Sequence, residues 1–242
     1  MKVSILIPHK PRPGSDERLA RAINSALNQT HNDIEVIVKA HNARPSFRWG
    51  AYVLNDERVT WIDGPDNSIT HAVNIAAQRS TGDVMHFACD DDEMTPDAVA
   101  SALEALRPRS RQWTYGAMHI VRYEAGERRL VEGNGGWVWD KGRLLHENFI
   151  PQPTVFWKRD AWNAVGPFDE SLRFCLDYEM WGRLGSLYEP RVRRHIDSYY
   201  EQWDHSTTAT QQAAMWTEVG IIQARWRTHG LGWRPRGVQS AG

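Results

Sequence analysis

Four consecutive acidic residues, Asp90 to Glu93, form the segment of this sequence best suited to chemistry. They come directly after the strand-like run at 84–89, and Pro96 follows them. Adjacent carboxylates repel one another unless a cation or hydrogen-bond donors compensate their charge. Oxygen ligands of this kind suit Mg²⁺ or Mn²⁺, ions that also hold diphosphates. The alternative is a solvated acidic turn whose aspartates cap the helix after Pro96.

Three further polar residues are candidates for a site, each with a structural alternative. Asp177 stands at the start of a predicted helix over 177–187, where it acts either as a first-turn carboxylate or as a general base in a cleft. His205, in the segment Trp203-Asp204-His205-Ser206, is either structural or a further metal ligand. Asp66 lies before a predicted helix and forms either an Asx turn or part of the same site.

The elements that must position these residues alternate between strands and helices in the first half. Short apolar runs predict strands at 3–7, 34–38, 59–62 and 84–89. Helical spacing predicts helices over 19–27, 69–79 and 97–106, with Asp16 as the cap of the first helix. This order predicts an α/β fold with a doubly wound, mostly parallel sheet flanked by helices. Ligands of such sheets bind beyond the carboxyl ends of the strands, where Pro8, His41, Asp66 and Asp90 to Asp92 fall.

The second half is less regular, and we expect it to form an antiparallel element beside the sheet and a C-terminal helix. The pattern predicts a hairpin of 113–123 and 129–139, a strand at 154–158 and a final helix over 208–228. Trp137 and Trp139 alternate on the second hairpin strand, so both are expected to face one side. No linker divides the chain, which predicts a single composite domain over 1–242.

Composition excludes several classes of function. The 29 basic and 30 acidic residues leave a formal charge of −1, which argues against nucleic-acid binding. Cys89 and Cys175 are the only cysteines and form no CxxC pair, which argues against a disulfide scaffold. The sequence also lacks the GxGxxG, Walker, GxSxG and HExxH motifs. Without a predicted membrane span or signal peptide, we expect a cytoplasmic protein, with peripheral membrane contact through its arginine-rich end as an option.

Three segments occur in an order that resembles one known family. They are VSILIPHKPRP…LARAINSALNQTHNDIEVIV with Ser25, Gln29 and Thr30, then GPDNSITHAVNIAAQRSTGDVMHFACDDDEMTP, then VFWKRDAWNAVGPFDESLRFCLDYEMWGRLG. Over roughly residues 2–210 the chain resembles a family-2 glycosyltransferase, an inverting enzyme with the GT-A fold. The resemblance implies a nucleotide-sugar-binding half at 1–96, an acceptor-side half at 97–207, and a C-terminal helix and tail at 208–242.

The resemblance also implies roles for individual residues. Asp177 matches the base that deprotonates the acceptor hydroxyl. The residues implied to hold Mn²⁺ or Mg²⁺ are Asp91, Asp90, Asp92 and His205. Those implied to contact the nucleotide of the donor, with a UDP-sugar favoured, are Pro8, His41, Asn42, Asp66 and Asp90. Trp137, Trp139 and Gln152 are candidates for the acceptor site, and the acceptor is a hydroxyl of a saccharide, a lipid-linked sugar or a protein.

Three departures from the family pattern keep other functions open. Lys39-Ala40-His41-Asn42 stands where the family usually has Asp-Asp-Gly-Ser. Cys89 replaces an acid two residues before Asp91, and Leu176 replaces the glutamate before Asp177. A non-catalytic nucleotide- or sugar-binding protein on the same fold is therefore one alternative. A metal-dependent phosphoryl- or nucleotidyl-transferase is the other, since an aspartate cluster also suits that chemistry.

Overall fold

One mixed β-sheet dominates the fold in a computed structural model, which describes residues 1–43, 56–124, 127–203 and 206–231. Strand β1 (Val3–His9) is buried along its whole length. It pairs in parallel with β2 (Ile34–His41) and with β4 (Val84–Phe87), and β2 pairs in parallel with β3 (Val59–Gly64). Apolar runs of this kind suit strands that are covered on both faces. The predicted parallel sheet of the first half is therefore confirmed.

The second half extends the same sheet with strands of mixed direction. Beyond β4 the order is β8 (Phe156–Lys158), β6 (Trp113–Glu124), β9 (Arg191–Glu201) and β5 (Glu93–Met94), and β7 (Glu127–Gly135) pairs with β6. β6 and β9 are parallel, whereas β8 is antiparallel to both of its neighbours. The sequence pattern missed β5 and β9. Together they bring residues 93–94 and 191–201 to the edge where the aspartates lie.

Helices cover the sheet on both faces. They are α1 (Ser15–Leu27), α2 (Ile69–Arg79), α3 (Ala98–Leu106), α4 (Lys141–Leu144), α5 (Arg159–Val165), α6 (Leu176–Leu187), α7 (Thr207–Thr210) and α8 (Gln212–His229). The predicted bounds of α2 are confirmed, and the hydroxyl of Ser68 caps it by accepting from the backbone of His71. Asp16 was expected to cap α1, but Gly14 occupies the cap position and Asp16 lies in the first turn.

The alternation of side chains along β1 divides the core into two apolar layers. Val3, Ile5 and Ile7 pack with α1 and α3 on one face. Leu6 faces the other layer, which holds the large aromatic rings of the second half. In that layer the rings of Trp113 and Trp181 stack with centroids 6.1 Å apart. Burial of these rings anchors α6 against the sheet.

Trp137 and Trp139 do not share a strand face, so that prediction is wrong. Strand β7 ends at Gly135, and the two tryptophans follow it outside regular structure. Trp139 packs edge-to-face against Trp113 in the core layer. Trp137 is 48% exposed. The glycines at 135 and 136 have positive φ angles of 104° and 63°, which turn the chain and place the two rings differently.

The contact between α6 and α8 leads to a prediction about stability. A Cβ atom at Gly182 would overlap the indole of Trp226, which is itself buried. Overpacking of this kind typically costs about 1–3 kcal/mol, so we expect Gly182→Ala to lower the free energy of unfolding by that amount. Denaturant unfolding measures the change.

Gly220→Ala is the matched control, because Gly220 lies in α8 with open space around its Cβ position. There alanine is expected to raise the free energy of unfolding by about 0.5–1 kcal/mol through helix propensity. Equal effects of the two substitutions would contradict the close packing of α6 on α8.

Candidate active site

The end of β4 carries the aspartates, and the loop after β1 supplies their principal counter-charge. Asp90 is buried. Arg12 donates to both of its carboxylate oxygens, at 2.7 Å and 2.9 Å. His9 Nδ1 lies 2.6 Å from Asp90 Oδ2. Because β1 and β4 are parallel neighbours, the residues after β1 reach the same edge as those after β4.

Asp91 has two donors on one oxygen. Its Oδ2 accepts from Arg12 at 3.1 Å and from the indole N–H of Trp203 at 3.2 Å. Burial raises the pKa of Asp91, and the charge of Asp90 raises it further, while Arg12 opposes the shift. The carboxylate is therefore held in place but only partly compensated.

Asp92 is the least compensated member of the cluster. Its Oδ1 accepts from the backbone N–H of Glu201 at 3.2 Å. Its Oδ2 is buried and has no hydrogen-bond partner among the described residues. Burial, followed by the charge of Asp91, raises the pKa of Asp92 well above its ordinary value. A buried carboxylate oxygen without a hydrogen-bond partner is stabilised either by protonation of the carboxyl group or by a bound cation.

Within the described part of the chain, one group of residues has the spacing of a cation site. Cys89, Asp91 and Asp92 each offer a ligand atom, and these atoms lie within 4.8 Å of one another. With the orphaned oxygen of Asp92, this donor set fits a divalent cation. Asp90 is outside the group and both of its oxygens accept hydrogen bonds, so its role as a ligand stays a prediction. His205 lies outside the described residues.

A second layer of charges surrounds the cluster and comes from the end of β9. Glu201 pairs with Arg18 at 3.1 Å and with Arg21 at 2.5 Å. The guanidinium of Arg18 also lies 4.2 Å from the ring centroid of Trp203. Sequence reasoning missed these contacts because β9 was not predicted. The signal available in the sequence was the pair of arginines, Arg18 and Arg21, three residues apart in α1.

Asp177 lies in the first turn of α6 and is half-buried. Asn148 donates a hydrogen bond of 2.9 Å to its Oδ2. Burial raises the pKa of Asp177, and the hydrogen bond from Asn148 opposes that shift. The loop before it is fixed by Glu218 of α8, whose carboxylate accepts from the three backbone N–H groups of 173–175 at 2.7–2.9 Å.

The segment 148–152 connects Asp177 to the aspartate cluster. Asn148 at one end bonds Asp177, while Gln152 at the other end accepts from the thiol of Cys89 at 3.3 Å. Gln152 also donates to the carbonyl of Phe87 at 2.5 Å. The candidate base and the cation site are thus held by one short stretch of chain. Gln152, predicted on the acceptor side, contacts the cluster.

The residues predicted to contact a nucleotide meet beside the end of β1. Pro8 is in register with Lys39 on β2. The ammonium of Lys39 is buried and donates to the carbonyls of Ala40 and Gly64 at 2.8 Å and 2.7 Å, and to Asp66 at 3.1 Å. The backbone N–H of Asp66 donates to His41 Nδ1 at 3.2 Å. Asn42 follows with a φ of 49° and bonds the carbonyl of Gly64.

A family model described as glycosyl transferase family 2 matches residues 4–160, which include the sheet's parallel half and the aspartate cluster. The chain belongs to this family. The resemblance drawn from its motifs is therefore confirmed, and the chain has a GT-A-like fold.

Relatives and solved structures agree with this assignment. Chondroitin synthase of Escherichia coli is 25% identical over 190 residues, which cover 77% of this chain and 27% of the relative. Hyaluronan synthase of Pasteurella multocida is 25% identical over 172 residues, 70% of this chain and 17% of the relative. The structure of S. aureus TarS 1-349 in complex with UDP-GlcNAc superposes with a TM-score of 0.67 at 12% identity, and covers 92% of this chain and 66% of that one.

The family-2 chain spans about a quarter or less of the length of these two synthases. In the described ranges, no helix has both the length and the apolar character required to traverse a bilayer.

The position of Arg12 leads to a prediction about metal affinity in this family-2 protein. Its guanidinium bonds Asp90 and Asp91 and would repel a dication placed on the same carboxylates. We expect Arg12→Gln to bind Mn²⁺ about tenfold more tightly without nucleotide, since charges a few ångströms apart interact by about 1–4 kcal/mol. Isothermal titration calorimetry with MnCl₂ alone measures the affinity.

Arg18→Gln serves as the control, because Arg18, like Arg12, lies over the ring of Trp203 but bonds Glu201 instead of the aspartates. Its Mn²⁺ affinity is expected to stay within about twofold of wild type, as the charge is farther away and screened. Unchanged or weaker binding in Arg12→Gln would contradict the competition between the arginine and a metal ion.

Proposed function

We propose that the protein transfers a sugar from a UDP-sugar to a hydroxyl acceptor with inversion at the anomeric carbon, and that Asp177 is the general base. The observation that carries this proposal is the link through segment 148–152, since it bonds Asp177 at one end and the cation site at the other. A solved neighbour of the same fold holds UDP-GlcNAc, which supports a UDP-sugar as the donor.

In the proposed reaction Asp177 takes the proton of the acceptor hydroxyl while the acceptor oxygen attacks the anomeric carbon. The bond between that carbon and the diphosphate oxygen breaks in the same displacement, so an α-linked donor gives a β-linked product. Burial favours this role, because a raised pKa makes the carboxylate of Asp177 a stronger base. Asn148 would hold the carboxylate in one orientation.

The opposite end of the site suits the leaving diphosphate. A divalent cation, Mn²⁺ or Mg²⁺ in the simplest case, would be held by Asp91 and Asp92 with Cys89 beside them, and would neutralise negative charge on the diphosphate. Asp90 and His205 are the further proposed members of this site. Arg12 adds a fixed positive charge at the same place.

For the nucleoside, we propose a binding site formed by Pro8, His41, Asn42 and Asp66. Because Lys39 already bonds Asp66 and two carbonyl groups, its charge is neutralised inside the fold. The side chain of His41 is about one-third exposed and its Nδ1 accepts from Asp66, which leaves its Nε2 to donate to a base carbonyl. Base recognition would therefore differ from the aspartate contact usual in this family.

For the acceptor, Trp137 offers an exposed ring on the acceptor side, and Trp139 and Gln152 lie deeper. An indole face suits the apolar face of a sugar ring. The two relatives named as synthases of chondroitin and hyaluronan favour a saccharide among the proposed hydroxyl acceptors, ahead of a lipid-linked sugar met at a membrane surface or a protein.

The proposal predicts that Asp177→Asn separates binding from chemistry. The amide keeps the shape of the side chain but no longer accepts a proton as a base. We expect UDP-GlcNAc to bind with unchanged affinity in calorimetry with Mn²⁺, while UDP release in the presence of an oligosaccharide panel falls by about 10²- to 10⁴-fold.

The control is Asp160→Asn, since Asp160 is an exposed first-turn carboxylate of another helix. Wild-type turnover in Asp177→Asn would remove Asp177 from the mechanism.

Calorimetry of wild type with UDP, GDP, dTDP and CDP, each with and without Mn²⁺, tests the donor. If UDP-GlcNAc is bound but never consumed, the protein is a non-catalytic binding protein, and the release of pyrophosphate or phosphate would indicate a nucleotidyl- or phosphoryl-transferase.

The contact from Asn148 predicts a shift in the pH dependence of transfer. A base is active only when deprotonated, so kcat/KM falls as the pH drops through the pKa of Asp177. The hydrogen bond from Asn148 lowers that pKa. We therefore expect the acid limb of the kcat/KM profile of Asn148→Ala to move to higher pH than that of wild type.

Gln223→Ala is the control for this profile. Gln223 donates to the carbonyl of His146 and to the hydroxyl of Tyr178, which are near Asn148 and Asp177 in sequence, but it bonds neither Asn148 nor Asp177. Its acid limb is expected to coincide with that of wild type. A shift of the Asn148→Ala limb to lower pH would show that the acid limb belongs to another group.

A further inference from the structure

Cys89 occupies an unusual place for a thiol, in a ring of carboxylates where the family pattern has an acid. We propose that its sulfur is a direct ligand of the cation and makes the site select thiophilic divalent ions, Zn²⁺, Cd²⁺ and Co²⁺, over Mg²⁺. The proposed metal preference rests on the proposed function in one respect, namely that the same carboxylates would hold the cation used in sugar transfer.

The geometry around the sulfur favours a ligand role. The ligand atoms of Cys89, Asp91 and Asp92 lie within 4.8 Å of one another, which leaves room for one ion between them. The Oδ2 of Asp92 has no hydrogen-bond partner in the described structure, and the residue is buried, with 3% of its surface exposed. A cation between this oxygen, the sulfur and the second carboxylate would supply the partner that the oxygen lacks.

The thiol is held in one orientation before any ion arrives. Its S–H donates to Gln152 Oε1 at 3.3 Å, and Gln152 is fixed by its own bond of 2.5 Å to the carbonyl of Phe87. Cys89 is half-buried, so an ion has access from the site. Binding would replace the S–H bond with an S–metal bond and release one proton to solvent.

Ligand chemistry decides which ions this set prefers. Mg²⁺ requires near-octahedral oxygen ligands and gains little from sulfur. Zn²⁺ binds Cys sulfur and Asp oxygen in tetrahedral sites, where one sulfur and two carboxylates leave the fourth position for water or a diphosphate oxygen. One thiol in place of a carboxylate therefore moves selectivity from Mg²⁺ towards the thiophilic ions.

Titration of the reduced protein with Co²⁺ alone tests the proposal, since a cobalt–thiolate bond gives a charge-transfer absorption in the near ultraviolet. We expect this absorption in wild type and its loss in Cys89→Ser. Zn²⁺ at equimolar concentration should abolish it, and Mg²⁺ in large excess should not. Cys89→Asp should bind Mg²⁺ at least about tenfold more tightly than wild type and Zn²⁺ more weakly.

Cys175→Ser is the control for the other cysteine, because that thiol is buried and bonds the carbonyl of Met215, away from the aspartates. It should keep the cobalt absorption. In wild type, Zn²⁺ should protect Cys89 from alkylation by iodoacetamide, as measured by mass spectrometry, and this readout requires no variant to fold. The absence of a charge-transfer band, or equal alkylation with and without Zn²⁺, would overturn the proposal.

These measurements contain neither donor nor acceptor, so their outcome is separate from that of the transfer assays. Full transfer with Mg²⁺, together with no cobalt–thiolate band, would overturn the role of Cys89 and leave the transferase intact. A cobalt–thiolate band in a protein that never consumes a nucleotide sugar would overturn the proposed function and leave the metal site.

Discussion

Mutual repulsion among the carboxylates at the end of β4 is the constraint around which the rest of the site is arranged. The end of a buried strand brings Asp90, Asp91 and Asp92 together, and burial, which is deepest at Asp90 and Asp92, makes their charges costly. Compensation comes from elements far apart in the chain. Arg12 arrives from the loop after β1, and Trp203 arrives from the segment after β9. Charge balance at this edge therefore connects β1 and β9, the first and last of the described strands along the chain.

The two halves of the sheet contribute differently to the site. The parallel half is regular, and the aspartates and the hydrogen-bonded Lys39 lie at the carboxyl edge of its strands. The half with mixed strand directions is irregular and supplies Asp177 on α6. Segment 148–152 crosses between them, with Asn148 and Gln152 each bonded to one side. In the transfer reaction proposed above, such a link would hold the base and the cation site in a fixed relative position, which favours alignment of the reacting groups.

The sequence predicts the parallel half well because its signals are local. Strands such as β1 are continuous apolar runs, and the helix at 69–79 has an apolar face with regular spacing. Strand β9 escaped prediction because it carries charges that are paired inside the fold, such as Arg193 with Asp197 at 2.6 Å. Its partners, Arg18 and Arg21 for Glu201, are distant in sequence. The contact of Arg12 with the aspartates could not be predicted from the sequence either, because it depends on the pairing of β1 with β4.

Glu218 gives the C-terminal helix a part in the site that its position alone would not suggest. One carboxylate satisfies three successive backbone N–H groups just before Asp177, and its charge also raises the pKa of that residue. In a chimera that replaced α8 with the corresponding helix of a relative, these amides would lose their acceptor unless an acid stood at the same turn. The helix is therefore not an interchangeable module, and recombination between such enzymes is constrained at this side chain.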